Sequence, residues 1–349
     1  MKKPDTRLIN QSWPEEGLEY VEKCPYCGSG ERILAYKDVQ DWSFYCAPGK
    51  WNYWRCIPCA TLYLNPRPTE VTIGDAYASY YTHVGGSSDN RLLRYSIYKL
   101  IQLVRNGYLN KTLGANYSGT VALPIWLYRI LGGIGLLPRS PLHDISRRPP
   151  GKMLDIGCGS GKFLKFAKQL GWDVVGVELD ENAVRASRAE GLNVIHGSFT
   201  EIDQLDQQFD LIVCSHVLEH VYDPKSLISL SLSRLAKEGE FWLQWPNPRA
   251  DGLECFGSHW RGLEAPRHIA IPSLSAVRNM ASNVSLNCSV TDKSSYWLWS
   301  QMSMYASSNA IQNKELPSNS GVTIKSLMRY VISRWKIKQC ELCVVTIKR

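Results

Sequence analysis

From Gly151 onward the chain alternates between two kinds of apolar pattern, and that alternation limits the folds open to it. KMLDIG (152–157) is a short continuous apolar run, as expected of a strand buried on both faces, and KFLKFAKQL (162–170) has helical spacing. DVVGVEL, ENAVRASRAE, NVIHGS and FDLIVCSH then predict strand, helix, strand and strand, followed by a helix over SLISLSLSRLA and a strand at EFWLQWP. SLSAVRNMASNV predicts one more helix and LCVVTIKR a closing strand. Strands separated by single helices build a parallel sheet with helices on both faces. The expected fold class is therefore α/β, a doubly wound, mostly parallel sheet of Rossmann-like type.

In such sheets ligands bind beyond the carboxyl ends of the strands, where the strand order reverses. The first strand ends at Asp155-Ile156, so the glycine turn 157–161 lies at that crevice. Gly157, Gly159 and Gly161 form G-x-G-x-G. The dinucleotide fingerprint G-x-G-x-x-G/A would need glycine or alanine where Lys162 stands, and the phosphate-cradling G-x-x-x-x-G-K-[ST] is absent.

Leu154-Asp155-Ile156-Gly157-Cys158-Gly159-Ser160-Gly161 resembles the first motif of the class I S-adenosylmethionine-dependent methyltransferases. Glu178 at the end of the second strand and FDLIVCSHVLEHVYDP (209–224) are similar to further segments of that family, in the same order. The resemblance implies a seven-stranded, mostly parallel doubly wound sheet, and a role for each position. Asp155 and the backbone of Gly157 would face the amino acid part of the cofactor. Glu178, with Leu179 beside it, would take the ribose, since a carboxylate offers two acceptor oxygens. Ser198 and Phe199 would border the adenine, at a place where many members carry an aspartate. Ser215 and His216 would lie beside the reacting methyl group.

The N-terminal third reads differently. Cys24-Pro-Tyr-Cys27 and Cys56-Ile-Pro-Cys59 are two C-x-x-C pairs with 28 residues between them. In a chain opening on MKKPDTRLINQSWPEEG, with no apolar secretory segment, paired knuckles read as a metal site more readily than as disulfides. Four thiolates suit tetrahedral structural zinc. Cys46 lies between the pairs without a partner pair of its own. Residues 24–69 resemble the zinc-binding domain that precedes the methyltransferase domain in bacterial sugar C-methyltransferases and in relatives tied to polysaccharide synthesis. The expected organisation is a zinc-binding domain at 1–80, a helical connector at 81–150 and the methyltransferase domain at 151–349.

In the connector, RLLRYSIYKLIQLVRNGYL has helical periodicity with arginines on one face. It reads as a packing helix or as a basic amphipathic helix touching an anionic membrane surface. The apolar run 121–137 is broken by Pro124, Arg129 and glycines, too short a stretch to span a bilayer. The reading is a soluble cytoplasmic chain, with peripheral contact to the inner membrane face as an option. A net charge of +8 over 349 residues does not identify an anionic partner, and CSHV stands where nucleic-acid N-methyltransferases carry N/D-P-P-Y/F, so no nucleic-acid partner is expected.

Methyl transfer from a sulfonium needs alignment of donor and acceptor, and for a hydroxyl or acidic C–H acceptor a base as well. Of seven histidines, His216, His220, His259 and His268 follow the fourth and fifth strands on the substrate side. EAPRHIAIPS (264–273) resembles the segment that carries a catalytic histidine in sugar C-methyltransferases, which falls on His268 here. Arg267 stands where those enzymes often have glutamate, and Glu264 lies four residues before the histidine. The candidate catalytic residues are thus His268, His220 and Glu264, with Arg267 read as a grip for a phosphate or carboxylate of the substrate. The expected activity is methylation of a nucleotide- or lipid-linked sugar. The alternatives are a hydroxylated or aromatic, quinone-like metabolite as acceptor, or a cofactor-binding module without catalysis.

Overall fold

The computed structural model describes residues 8–78, 103–104, 107–108, 110–111, 119–127, 145, 148–281, 286–288 and 342–348. The amphipathic segment 91–109 and the apolar stretch after it lie largely outside these residues. Among the described residues no helix is long and apolar enough to cross a membrane.

The N-terminal part is antiparallel. β1 (Leu18–Glu19) pairs with β5 (Arg67–Pro68), and β2 (Arg32–Val39), β3 (Trp51–Cys56) and β4 (Leu62–Leu64) form a meander. The first cysteine pair lies at the turn before β2 and the second at the turn between β3 and β4. The second part begins with β6 (Lys152–Ile156), whose residues after Lys152 are all buried, as a strand covered on both faces requires. It continues through α1 (Lys162–Gln169), β7 (Asp173–Glu178), α2 (Glu181–Ala189), β8 (Asn193–His196), β9 (Phe209–Ser215), α3 (Pro224–Ser233) and β10 (Leu235–Pro246). The helix starts follow local chemistry. The Asp180 carboxylate accepts from the amides of Asn182 and Ala183, and Asp223 caps α3 just before Pro224.

After β10 come α4 (Asp251–Phe256), β11 (Ala270–Ile271), α5 (Leu274–Met280), β12 (Leu286–Cys288) and β13 (Leu342–Lys348). The large sheet has seven strands in the order β12-β13-β10-β9-β6-β7-β8. β8, β7, β6, β9 and β10 run parallel, while β13 is antiparallel to both β10 and β12. This is the expected doubly wound sheet, of the class I methyltransferase type. β10 is longer than its apolar run predicts: it starts at Leu235, directly after α3, and shifts register before Glu240, where Glu238 adopts φ 66°.

β6 sits between β7 and β9, so the strand order reverses at its carboxyl end. Crossing from one part of the chain to the other, β11 adds to the edge of the N-terminal meander by pairing with β4. Tyr53, Leu62 and Leu64 of the meander share one buried apolar cluster with Ile212, Leu243 and Trp245 of the large sheet.

Candidate functional site

The glycine turn after β6 is fixed from three directions. The amides of Gly157 and Cys158 donate to the Val177 carbonyl at 2.8 and 3.2 Å. The amide of Gly159 donates to Glu178 Oε2 at 2.7 Å, and Ser187 Oγ of α2 donates to the Gly159 carbonyl at 3.2 Å. Gly157 and Gly161 have φ of +72° and +69°, and a Cβ would stand 2.4 Å from Val217 at the first and 2.5 Å from Leu192 at the second. Their lack of a side chain thus serves the backbone and its protein neighbours first.

Glu178 Oε1 also accepts from Leu179 N (2.8 Å) and Asp180 N (2.9 Å), so its carboxylate gathers three amides at the crevice. Leu179 is 70% exposed there, an apolar side chain free to lie against a bound group. Asp155 is buried beneath the turn, and burial with the nearby charge of Glu178 raises its pKa to about 8. Ser198 Oγ caps a 3-10 turn by accepting from Thr200 N, and half-buried Phe199 packs on the main apolar cluster. Ser215 ends β9. His216 follows it with φ +56°, an unusual conformation for a non-glycine residue and one concentrated at functional sites.

Beyond β9 the loop 216–223 meets the long loop after β10. His216 Nδ1 lies 3.1 Å from Glu219 Oε1, while its Nε2 is 3.0 Å from the Gln244 amide nitrogen. Glu219 is fully buried, and its Oε2 has no hydrogen-bond partner among the described residues. His268 Nδ1 is 2.7 Å from the Gly262 carbonyl. His220 Nδ1 is 2.9 Å from both the Arg267 carbonyl and the Tyr77 hydroxyl. A carbonyl only accepts, so in both rings Nδ1 carries the proton and Nε2 keeps its lone pair. Burial lowers the pKa of both histidines, strongly for His268, so both stay neutral near pH 7. Their rings meet edge to face with centroids 4.7 Å apart. His220, His268 and Glu219 thus converge, as the first two were expected to; Glu219 joins them from the strand-four segment.

Arg267 and Glu264 correct the sequence reading. Arg267 has no exposed side-chain surface. Its guanidinium meets both oxygens of Asp41 (2.7 and 3.1 Å) and Glu264 Oε1 (3.0 Å), and it lies over the Phe44 ring. It is therefore spent inside the protein and cannot grip a substrate anion. Glu264 is buried too, paired with Arg267 and closely with Arg261, and stands 3.9 Å from His268 Nε2. Two guanidinium partners hold its charge, which suits it to fixing the loop and not to carrying protons. His259, read as pocket lining, is buried against Trp42, and burial takes its pKa down to about 4. Asp41, Tyr77 and Gln244 were not singled out by sequence reasoning. Their only signal was an acid inside an aromatic stretch (DVQDW) and a glutamine inside a buried strand.

At the other end of the shared core the four cysteines meet. Cys24 Sγ is 3.6 Å from Cys59 Sγ and Cys27 Sγ is 3.4 Å from Cys56 Sγ, with all four sulfurs within 4.8 Å of one another. Metal–sulfur bonds of about 2.3 Å give tetrahedral edges of about 3.8 Å, so the donor set fits a zinc-sized ion. The Cys24 thiol and then Thr61 hold Cys59 low, at about 5, and the same contact pushes Cys24 up. Cys46 lies apart, against Asp41 and Arg267.

Residues 136–289 match the family described as "Methyltransferase domain". That stretch is a class I methyltransferase domain. The ubiquinone biosynthesis O-methyltransferase of Hahella chejuensis is 36% identical over 117 residues, covering 28% of this chain and 49% of that protein. The protein of the same name from Pseudomonas fluorescens is 33% identical over 140 residues, 34% of this chain and 60% of that one. This chain thus spans only about half of the curated relatives it matches. A solved methyltransferase from Archaeoglobus fulgidus aligns over 64% of this chain and all of its own, at 16% identity and a TM-score of 0.40.

Proposed function

We propose that this chain transfers a methyl group from S-adenosylmethionine to a hydroxyl oxygen of a small aromatic or quinone-like acceptor. The observation that carries the reading is the pair of neutral histidines, His220 and His268, whose proton-free nitrogens stand in the loops that follow β9 and β10. The methyltransferase domain and the partial likeness to ubiquinone biosynthesis O-methyltransferases support the same acceptor chemistry. They favour it over the sugar acceptor, and polysaccharide synthesis finds no support beside them.

On this reading Asp155 and the turn at Gly157, Gly159 and Gly161 receive the amino acid part of the cofactor. Glu178 and Leu179 receive the ribose, Ser198 and Phe199 border the adenine, and Ser215 and His216 flank the sulfonium. The cofactor supplies an electrophilic methyl. The acceptor oxygen forms the new C–O bond as the C–S bond breaks, and its proton leaves to a lone pair in the histidine cluster. Cys24, Cys27, Cys56 and Cys59 hold a structural zinc. This keeps the division into a zinc-binding domain at 1–80, a connector at 81–150 and the methyltransferase domain at 151–349, with β11 of the last seated on the sheet of the first.

The test is incubation of the purified full chain with methyl-deuterated cofactor and a panel of catechols, hydroquinones and nucleotide sugars, read by mass spectrometry. A labelled methyl ether on a phenolic acceptor is expected. Label appearing only on a sugar, or cofactor binding with no transfer to any hydroxyl, would overturn the reading.

A further inference from the structure

We propose that Glu219, His220 and His268 together bind a divalent first-row metal cation. One ligand atom from each of the three lies within 4.8 Å of the other two. Two imidazoles and a carboxylate are a well-attested donor set for zinc, iron and manganese, and three protein ligands leave positions open for another oxygen. The surroundings supply what such ligands need. Each histidine gives its Nδ1 proton to a backbone carbonyl, Gly262 for His268 and Arg267 for His220, which points the Nε2 lone pair outward and fixes the ring.

Charge balance argues for a cation at this place. The buried guanidinium of Arg267 and the nearby Arg261 are matched by Asp41 and Glu264. Glu219 is left over. It is fully buried, among the described residues only histidine nitrogens lie within ion-pair distance (His216 Nδ1 at 3.1 Å and His268 Nε2 at 3.9 Å), and one oxygen has no partner among them. A buried carboxylate so poorly compensated is costly, and a cation between Glu219 and the two imidazoles removes that cost. His216 then steadies Glu219 from behind. What the cation does rests on the methyl-transfer reading above: with both Nε2 lone pairs committed to it, it would take over from the free imidazoles by acidifying the acceptor hydroxyl, whose proton would then pass to water. That it binds does not depend on that reading.

Mn2+ discriminates this site from the four thiolates, because it prefers oxygen and nitrogen donors. The full chain, dialysed against a chelator, is titrated with Mn2+ while free Mn2+ is followed by its electron paramagnetic resonance signal. One Mn2+ per chain is expected, with nitrogen hyperfine couplings from bound imidazole. Glu219→Gln and His268→Asn should each weaken binding by at least about tenfold, while the exposed Glu190→Gln leaves it unchanged. No uptake at millimolar Mn2+, or uptake without nitrogen couplings in the wild type, overturns the site whether or not the variants fold. Phenol methylation at full rate by the chelated protein overturns the cation's part in the reaction and leaves the methyl-transfer reading standing. Imidazole-bound Mn2+ with no methylated product upholds the site and removes that reading instead.

Discussion

Asp155 carries its carboxyl group into a strand buried on both faces, and its pKa of about 8 against an unfolded value of about 3.9 has two measurable consequences. The folded state holds a proton that the unfolded state has lost. The associated stability is present below about pH 4 and drains away as pH rises towards about 8, a difference on the order of a few kcal/mol. Asp155→Asn should remove that slope from a series of thermal melts; a wild-type melting temperature that stays level from pH 5 to about 8 would count against it. A cationic cofactor favours the charged carboxylate, so cofactor affinity should rise as pH goes from about 6 to 8, up to about tenfold per pH unit. Titration calorimetry across that range checks this, and equal dissociation constants at both ends would refute it.

At the same scale, Arg267 neutralises two buried acids. Arg267→Leu strands Asp41, while Glu264 keeps Arg261, and should cost about 3–5 kcal/mol of unfolding free energy. Arg267→Lys should recover only part, since an ammonium cannot match both oxygens of Asp41. Denaturant titration measures both, and a loss below about 1 kcal/mol for the leucine variant would show that the network is not what holds this loop.

Among the elements, the β6 turn, on the proposed cofactor side, meets the histidine-bearing loop at Val217. Gly157 faces Val217, which belongs to the loop carrying His216, Glu219 and His220. Gly157→Ala combines an unfavourable φ with a methyl 2.4 Å from Val217, and should cost about 1–3 kcal/mol and weaken cofactor binding. Adding Val217→Ala frees the space but not the backbone, so the double variant should regain only part of the loss; full recovery would mean that the backbone angle is immaterial. The strands and helices from 151 to 246 were legible because each writes its period into consecutive residues, and the glycine spacing with Glu178 pointed to the cofactor end. The acceptor end was half legible. His220 and His268 stood out by residue type, but Arg267 looked like a substrate grip. Its role depends on Asp41, 226 residues away, and no local pattern carries a contact across that distance.

Taken as one body, the molecule ties its cysteine-rich sheet to the loop that holds His268. Tyr53 of β3 donates its hydroxyl towards the carbonyls of His268 (2.6 Å) and Leu263. β11, two residues after His268, pairs with β4, and Ser273 Oγ donates to the carbonyl of Cys59 itself. Tyr26, between Cys24 and Cys27, donates to the Leu218 carbonyl next to Glu219 (3.1 Å). Both arms of the histidine cluster therefore lean on backbone next to the proposed zinc site. Stripping the thiol-held metal with a mercurial should release about one zinc per chain and lower the melting temperature by about 10 °C, equivalent to several kcal/mol in a protein of this size. Cys59→Ser should do the same. Methyl transfer should fall in parallel with zinc release, while cofactor affinity, set at the far side of β6, should change by less than about threefold in samples kept below the new midpoint. A demetallated protein that melts as before and turns over as before would separate the cysteine cluster from the site, and the leaning of one on the other would have to be given up.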